Sequence, residues 1–546
     1  MKIIIPSAKI VPVELQNLGR LPAIVYPVNQ RVVFDYLKEQ YEDAEYRIVC
    51  YEKADMVRKR LSKYKNVEIV ELDQLLDLGY SVYKGIDKCS GDGYVNFADT
   101  IVADQNSSLS EDAFFYSVDM LSSTWTYFHC ENGVITKVVD QKDVKDNIYG
   151  NLFVGVFRFA HLEYLRDCLD EALNDNPTDM NSFYYALMLY SRRYKLKPIK
   201  TDNWLDVGHQ DRYFDTTLEV KAREFNHISI DKDRGILVKH SDDIDKFIGE
   251  IKWYLKLPAD IEYIRPRIFE YSVSYVNPYI SMEYYGYHTL HELFLYGDLT
   301  RSQWKSIFSR ILFVCNDLKK YTLNDGYIRE SLEEMYLKKT IRRIEKLRKN
   351  STFRSFFDKP ITVNDKVYIS LSDIEERINQ IVPELLYDVE EFCIIHGDLC
   401  FTNIMIDNQY NFIKVIDPRG KFGECDIYGD PRYEIAKLLH SVDGKYDYVI
   451  KDQLDVTYDL STNGISYKIF DRSRDFDLHE LFLDVFKENI AGQLKKIELI
   501  ESLLFLSMIP LHAESLDHQI TMLAIGVDIL NRISDITVTV ESEENV

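Results

Sequence analysis

Cys393-Ile-Ile-His396-Gly397-Asp398-Leu-Cys-Phe-Thr-Asn403-Ile-Met405, followed by Phe412-Ile-Lys-Val-Ile-Asp417-Pro-Arg-Gly420, is the stretch on which the reading of this chain turns. A short apolar strand delivers His-Gly-Asp, an Asn follows five residues after the Asp, and a second apolar strand ends on another Asp. Transfer of a phosphoryl group needs three such groups: a carboxylate facing an acceptor hydroxyl, and an amide and a second carboxylate that share Mg2+. Asp398 is therefore the candidate catalytic residue, and Asn403 and Asp417 are candidate metal ligands.

Upstream of this stretch the pattern is that of a small antiparallel sheet. Asn226-His-Ile-Ser-Ile230, a turn across 231–235 and Ile236-Leu-Val-Lys239-His240 read as a β-hairpin with Lys239 on its outgoing strand. A helix is expected over 245–257, carrying Glu250. Ser281-Met282-Glu283-Tyr284-Tyr-Gly286 reads as a further strand running into a connector. Beyond it the chain is mostly helical, with amphipathic stretches over 331–349 and 497–511.

This order resembles the aminoglycoside phosphotransferase and choline kinase-like family over some three hundred residues, from about Phe225 to Ile533. The resemblance implies an α+β protein-kinase-like domain over 225–546, with an N-lobe to about 286 and a C-lobe after it. It also implies ATP and Mg2+ as cofactors and a small-molecule hydroxyl acceptor. Carried over by position, Asp398 resembles the catalytic base, Asn403 and Asp417 the Mg2+ ligands, Lys239 the phosphate-binding Lys and Glu250 its partner. Met282, Glu283 and Tyr284 lie where the family's hinge backbone pairs with adenine. His396 resembles the residue that supports the catalytic loop. Glu434, in Gly429-Asp-Pro-Arg-Tyr-Glu-Ile-Ala436, stands where an Asp is more usual, and Met508-Ile-Pro-Leu-His-Ala513 resembles a late helical element. Two departures are Pro418, where an aromatic residue is usual, and a hairpin turn poor in glycine. Acidic side chains would suit a cationic acceptor, with Glu424, Asp426, Glu514 and Asp517 as candidates; plain surface carboxylates are the alternative.

The first half alternates strand and helix: a strand at Lys2-Ile-Ile-Ile5, a helix over 33–40, a strand at Arg47-Ile-Val-Cys50, a basic helix over 54–64 and a strand at Val67-Glu-Ile-Val70. Such alternation predicts a parallel, doubly wound, Rossmann-like sheet. Further strands are expected over 93–97, 124–128 and 151–157. Ile3-Ile-Ile-Pro-Ser-Ala8 with Leu21-Pro-Ala-Ile-Val-Tyr-Pro-Val28 resembles the opening of the sugar-phosphate nucleotidyltransferases, which have a nucleotide-diphospho-sugar-transferase-like α/β fold. The resemblance implies a domain over 1–224 and a second NTP, CTP or another, bound there. In that family a glycine-rich loop cradles the triphosphate; here the loop over 9–19 has one Gly, and Ala23 replaces the family Lys. Asp99 and Asp206 match its two metal-binding carboxylates, with strand-end and helix-start caps as the plain reading of each. Lys142 is a candidate on the acceptor side, and Lys9 or Arg20 could stand in at the triphosphate.

The chain has 546 residues and a formal net charge of −23, which argues against a duplex-DNA or anionic-membrane binder. With 46% hydrophobic residues, 39 Tyr and 28 Phe, the composition is that of well-packed domains. Eight scattered cysteines, without C-x-x-C or a zinc-spaced His/Cys cluster, read as reduced thiols. No 18-residue apolar run is present, so no membrane insertion is expected and the reading is a cytoplasmic protein. The fused resemblances imply ATP- and Mg2+-dependent phosphorylation of an amino alcohol or sugar, followed by nucleotidyl transfer, as in activated-precursor synthesis for capsule or other surface polysaccharide. Nucleotidyl transfer as the principal activity, or a non-catalytic binding domain in the first half, are the alternatives.

Overall fold

The computed structural model describes residues 1–29, 31–103, 109–120, 125–139, 149–208, 226–231, 233–324, 326–471 and 474–538. Lys142, Phe225, the segment expected to follow Asp206 as a helix, and the acidic tail Glu541–Val546 lie outside them. The chain divides into two compact units, Met1–Val220 with Tyr296–Asp298, and Lys221–Leu295 with Leu299–Val546.

The first unit is built on a nine-stranded mixed sheet. Lys2–Pro6 runs through its parallel part, paired on one side with Glu45–Cys50 and on the other with Gly93–Asn96; Val67–Glu71 extends it beyond Glu45–Cys50. Ile3, Ile4 and Ile5 are fully buried, as expected of a parallel strand covered on both faces. The other part is antiparallel, apart from Lys197–Lys200, which runs parallel to Ala113–Met120, so the doubly wound parallel expectation holds for only part of the sheet. Tyr149–Phe159 runs antiparallel to Gly93–Asn96, Ala113–Met120 and Tyr127–Glu131. The cause is local: Asn132 and Gly133 both take positive φ, at 51° and 78°, a turn that returns the chain directly as a hairpin onto Val134–Val139.

Two expected boundaries move. The basic helix ends at Arg60 rather than 64, and the strand expected over 124–128 forms at Tyr127–Glu131. The aromatic content is spent in this core. Phe114 meets Phe128 edge-to-face at 4.9 Å, Phe128 stacks on Phe153 at 4.5 Å, and Phe157 meets Phe183 at 5.1 Å.

The second unit opens with a four-stranded antiparallel sheet, ordered Asn226–Asp231, Ile236–Ser241, Tyr279–Glu283, Ile268–Ser272. The helix Ile244–Lys256 follows the hairpin and buries Phe247, Ile248, Glu250, Ile251, Trp253 and Tyr254. The helical remainder surrounds the strand Phe392–Ile394 and the antiparallel pair Ile404–Ile406 and Ile413–Val415. The helix expected over 331–349 is part of a longer run, Ile328 to Arg348, interrupted by a π-helical turn at Glu333–Lys338. A second four-stranded sheet, Lys366–Tyr368, Ile361–Val363, Gly464–Ile469 and Leu454–Asp459, is not apparent from the sequence pattern. Among the described residues no helix is long and apolar enough to cross a membrane.

Candidate active site

The sheet and the following helix bring Lys239, Glu250 and Asp417 together. The buried Lys239 ammonium lies 2.8 and 2.9 Å from the two carboxylate oxygens of Glu250 and 2.7 Å from Asp417 Oδ1. One cation thus faces two carboxylates. Burial, and then the charge of Asp417, push the Glu250 carboxyl upward, with Lys239 acting against them. Asp417 itself adopts φ 56°, a conformation that a non-glycine residue holds only where its surroundings fix it. Its N–H donates to Tyr254 Oη at 3.1 Å, and Trp253 Nε1 donates to Ile395 O at 2.7 Å. Glu250, Trp253 and Tyr254 share one helix face by i, i+3, i+4 spacing, so a single helix grips the Lys and both loops.

The two loops are stitched to each other. Ile416 N–H donates to Asn403 O at 3.0 Å, and Arg419 N–H to His396 O at 2.9 Å. The neutral His396 imidazole bridges the same pair: Asp398 N–H donates to Nδ1 at 3.3 Å, so the ring proton is on Nε2, which donates to Ile416 O at 3.0 Å. Burial pushes this imidazole down to about 4, in keeping with that state. Asn403 Nδ2 donates to Asp398 O at 2.8 Å, which leaves the amide oxygen as the group the side chain presents. Thr402 reaches that oxygen at 3.3 Å.

Two groups on the helix Pro431–Val442 complete the loop: Glu434, singled out in the sequence, and Lys437, which no motif identifies. Glu434 accepts from the N–H groups of His396 and Gly397, each at 2.9 Å. Burial pushes its carboxyl up to about 7, although both N–H groups favour the carboxylate. Three residues on, Lys437 Nζ lies 2.7 Å from Asp398 Oδ1. Burial opposes ionisation of Asp398, but the Lys437 charge outweighs it and holds the carboxyl well below the usual carboxylate range. The i, i+3 placement of Glu434 and Lys437 is the only sequence signal for the second, and it acquires meaning once the helix is docked.

The remaining predicted residues are placed differently. Met282 pairs within the sheet with Leu237, the Glu283 N–H donates to Arg267 O and the Tyr284 N–H to Gly235 O, both at 2.8 Å. These two donors are engaged within the protein. The acidic acceptor candidates do not converge on Asp398. Asp426 pairs with Lys256, Glu424 lies 3.4 Å from Lys421 and Glu514 2.9 Å from His512. Glu514 instead joins His512 and His518 in a group whose donor atoms lie within 4.8 Å of one another, a cluster not apparent from linear zinc spacing.

In the first unit Asp206 ends the strand Trp204–Asp206, paired antiparallel with Thr100–Val102 directly after Asp99. Val207 N–H donates to Asp99 O at 2.8 Å and Gly208 N–H to Asp206 Oδ1 at 2.7 Å. A methyl group built on Gly208 would stand 2.7 Å from Asp99 Oδ2 and 3.1 Å from Asp206 Oδ1, so both carboxylates face one glycine. The loop over 9–19 is no open cradle. Val13–Leu18 forms a 3-10 turn with Leu15 and Leu18 buried, and Tyr26 Oη donates to Leu15 O at 2.7 Å. Arg20 pairs with Glu52 at 2.8 Å, and Lys9 is exposed.

No protein-family model matches this chain, and no curated protein matches it either. Solved structures do. A CTP:phosphocholine cytidylyltransferase from Streptococcus pneumoniae is 16% identical, over 39% of this chain and 96% of its own, with a TM-score of 0.32. A thermostable mutant of aminoglycoside phosphotransferase APH(4)-Ia is 12% identical, over 58% and 94%, with a TM-score of 0.38. The streptomycin–ATP–APH(2")-IIa ternary complex is 13% identical, over 57% and 90%, with a TM-score of 0.35. The chain is similar in fold to nucleotidyltransferase-like α/β proteins in its N-terminal portion and to kinase-like phosphotransferases in its C-terminal portion.

Proposed function

We propose that the second unit is an ATP- and Mg2+-dependent phosphotransferase acting on the hydroxyl of a small metabolite. The carrying observation is the single constellation of Lys239, Glu250, Asp417, Asn403 and Asp398, drawn from four separate stretches of sequence. The residues fit Mg2+. The donors are oxygens, and the two carboxylates on Lys239 leave a negative charge in excess. Asn403 Oδ1 and the Asp417 carboxylate would hold the ion, which supplies charge neutralisation at the transferring phosphoryl group. Lys239, fixed by Glu250, reaches the phosphates. Asp398 is ionised at every physiological pH and weakly basic, so it orients the acceptor hydroxyl and takes its proton late, as a loose transition state requires. His396 and Glu434 hold the loop that carries it.

Label transfer from γ-18O-ATP onto a panel of small alcohols tests the reading. Asp398→Asn should lower kcat by roughly 10²–10⁴; unchanged transfer would refute it.

A second reading concerns the first unit and rests on the facing carboxylates of Asp99 and Asp206. Two carboxylates on adjoining strand ends suit a Mg2+-dependent nucleotidyl transfer, and with the 9–19 loop folded on itself a triphosphate would have to be held by other groups. Pyrophosphate release from CTP or another NTP, with a phosphorylated alcohol as co-substrate, should disappear in Asp206→Ala. Together the two activities would form an activated headgroup or sugar of the kind used in surface-polysaccharide assembly.

A further inference from the structure

The side of Asp398 formed by the helix Pro431–Val442 and the Lys339–Arg348 segment is cationic. Arg419, two residues after Asp417, places its Cβ 2.9 Å from where a Cβ on Gly397 would lie, and its Nη1 donates to Tyr433 Oη at 3.3 Å. Lys339 Nζ stands 5.8 Å from the centre of the same Tyr433 ring. Arg343, one turn after Lys339, donates to Ser507 O at 3.2 Å. Lys437, one turn after Tyr433, holds Asp398. Lys437 thus meets the ionised Asp398 directly, Arg419 and Lys339 are close enough to feel its charge, and Arg343 lies beside those two.

Lys339, Arg343 and Arg419 are each half-buried, and none has a carboxylate partner among the described residues. In a chain with 89 Asp and Glu against 66 Lys and Arg, acidic partners are abundant, so three unpaired cations in one place are not a matter of supply. Their proximity is costly. Burial, then the charges of Arg419, Arg343 and Lys437, hold the Lys339 ammonium well below its usual value, and burial and Arg419 also lower Arg343. The π-helical turn Glu333–Lys338 immediately precedes them; such turns shift the phase of a helix and recur at functional sites.

Resting on the phosphotransferase reading, we propose that the acceptor of this unit carries an anionic group, a carboxylate or a phosphate, which Lys339, Arg343 and Arg419 bind while its hydroxyl faces Asp398. The anion supplies the missing counter-charges, and a planar guanidinium pairs with either group in bidentate fashion. A cationic acceptor would instead add a like charge to a cluster already in excess.

The test uses the full chain saturated with Mg2+ and a non-hydrolysable ATP analogue, so that the nucleotide phosphate positions are filled. Calorimetric titrations compare glycerol 3-phosphate, glycerate, glycerol and choline as probes. Glycerol 3-phosphate or glycerate should bind about tenfold or more tightly than glycerol or choline, and Lys339→Gln and Arg343→Gln should each remove about that advantage. Asp398→Asn, which frees Lys437, should bind the anionic probe at least as well as the wild type while losing turnover. Equal or tighter binding of choline, or unaltered anion binding in both Gln variants, overturns the proposal. So does weakening of the ATP analogue in place of the probe, which would assign the cations to the nucleotide. Retained transfer in Asp398→Asn would refute the phosphotransferase reading separately, whatever the probes show.

Discussion

At the scale of single residues, the site is governed by charges that burial makes strong. Asp398 stays ionised because Lys437 lies 2.7 Å away. In Lys437→Met the buried carboxyl would lose that support and its pKa would rise. Activity should then fall more steeply than that of the wild type as pH is lowered, because a second carboxyl titrates, with kcat about a hundredfold lower even at its optimum. A pH–rate profile of the two proteins checks this. Glu434 has the opposite shift, up to about 7, so its two hydrogen bonds from the loop are at full strength only above that pH. Phosphoryl transfer should rise with pH through about 7, and Glu434→Gln should flatten that limb. For stability the sign reverses. The native carboxyl binds its proton more tightly than the unfolded one, so this group's contribution is greatest below about 4.5 and declines as pH rises to about 7. Asp398, Asn403 and Asp417 are legible in the sequence because fixed spacing between two strands places them. Lys437, Trp253 and Tyr254 are not, because each acts through the helix face it happens to dock.

At the scale of elements, the helix Ile244–Lys256 and the turn after Asp417 come together backbone to backbone. A Cβ on Gly420, whose φ is 71°, would stand 2.1 Å from the Gly249 carbonyl oxygen, and no flexible side chain can yield there. On Gly249 itself the nearest atom to a new Cβ is Arg419 O at 3.5 Å, an ordinary contact. Gly249→Ala should therefore keep activity and stabilise the helix by roughly 0.5–1 kcal/mol, while Gly420→Ala should lose most ATP-dependent transfer. Thermal melts and transfer rates of the two variants distinguish them. The hairpin and the helix with Glu250 are legible from alternation and periodicity. The Glu333–Lys338 π turn is not, because one extra residue in a turn leaves no mark on an apolar pattern, and the phase of Lys339 and Arg343 depends on it. For a related reason spacing does not choose between an acceptor contact and a plain surface carboxylate for Glu424, Asp426 and Glu514: it gives no information on which cation each meets.

At the scale of the whole molecule, two units with separate carboxylate sites predict separable chemistry. Asp206→Ala should abolish any pyrophosphate release and leave phosphoryl transfer within about twofold of the wild type, since effects at sites that share no partners add independently. Loss of both activities in that variant would show that the units work as one. The central claim, that Asp398 serves phosphoryl transfer from a nucleotide held by Lys239 and Asp417, is tested most directly in single turnover. Asp398→Asn is loaded with MgATP at the affinity of the wild type and mixed with the acceptor, and label on the acceptor oxygen is followed by mass spectrometry. The predicted result is intact MgATP binding with transfer slowed by roughly 10²–10⁴. Wild-type transfer from the loaded variant would contradict the account.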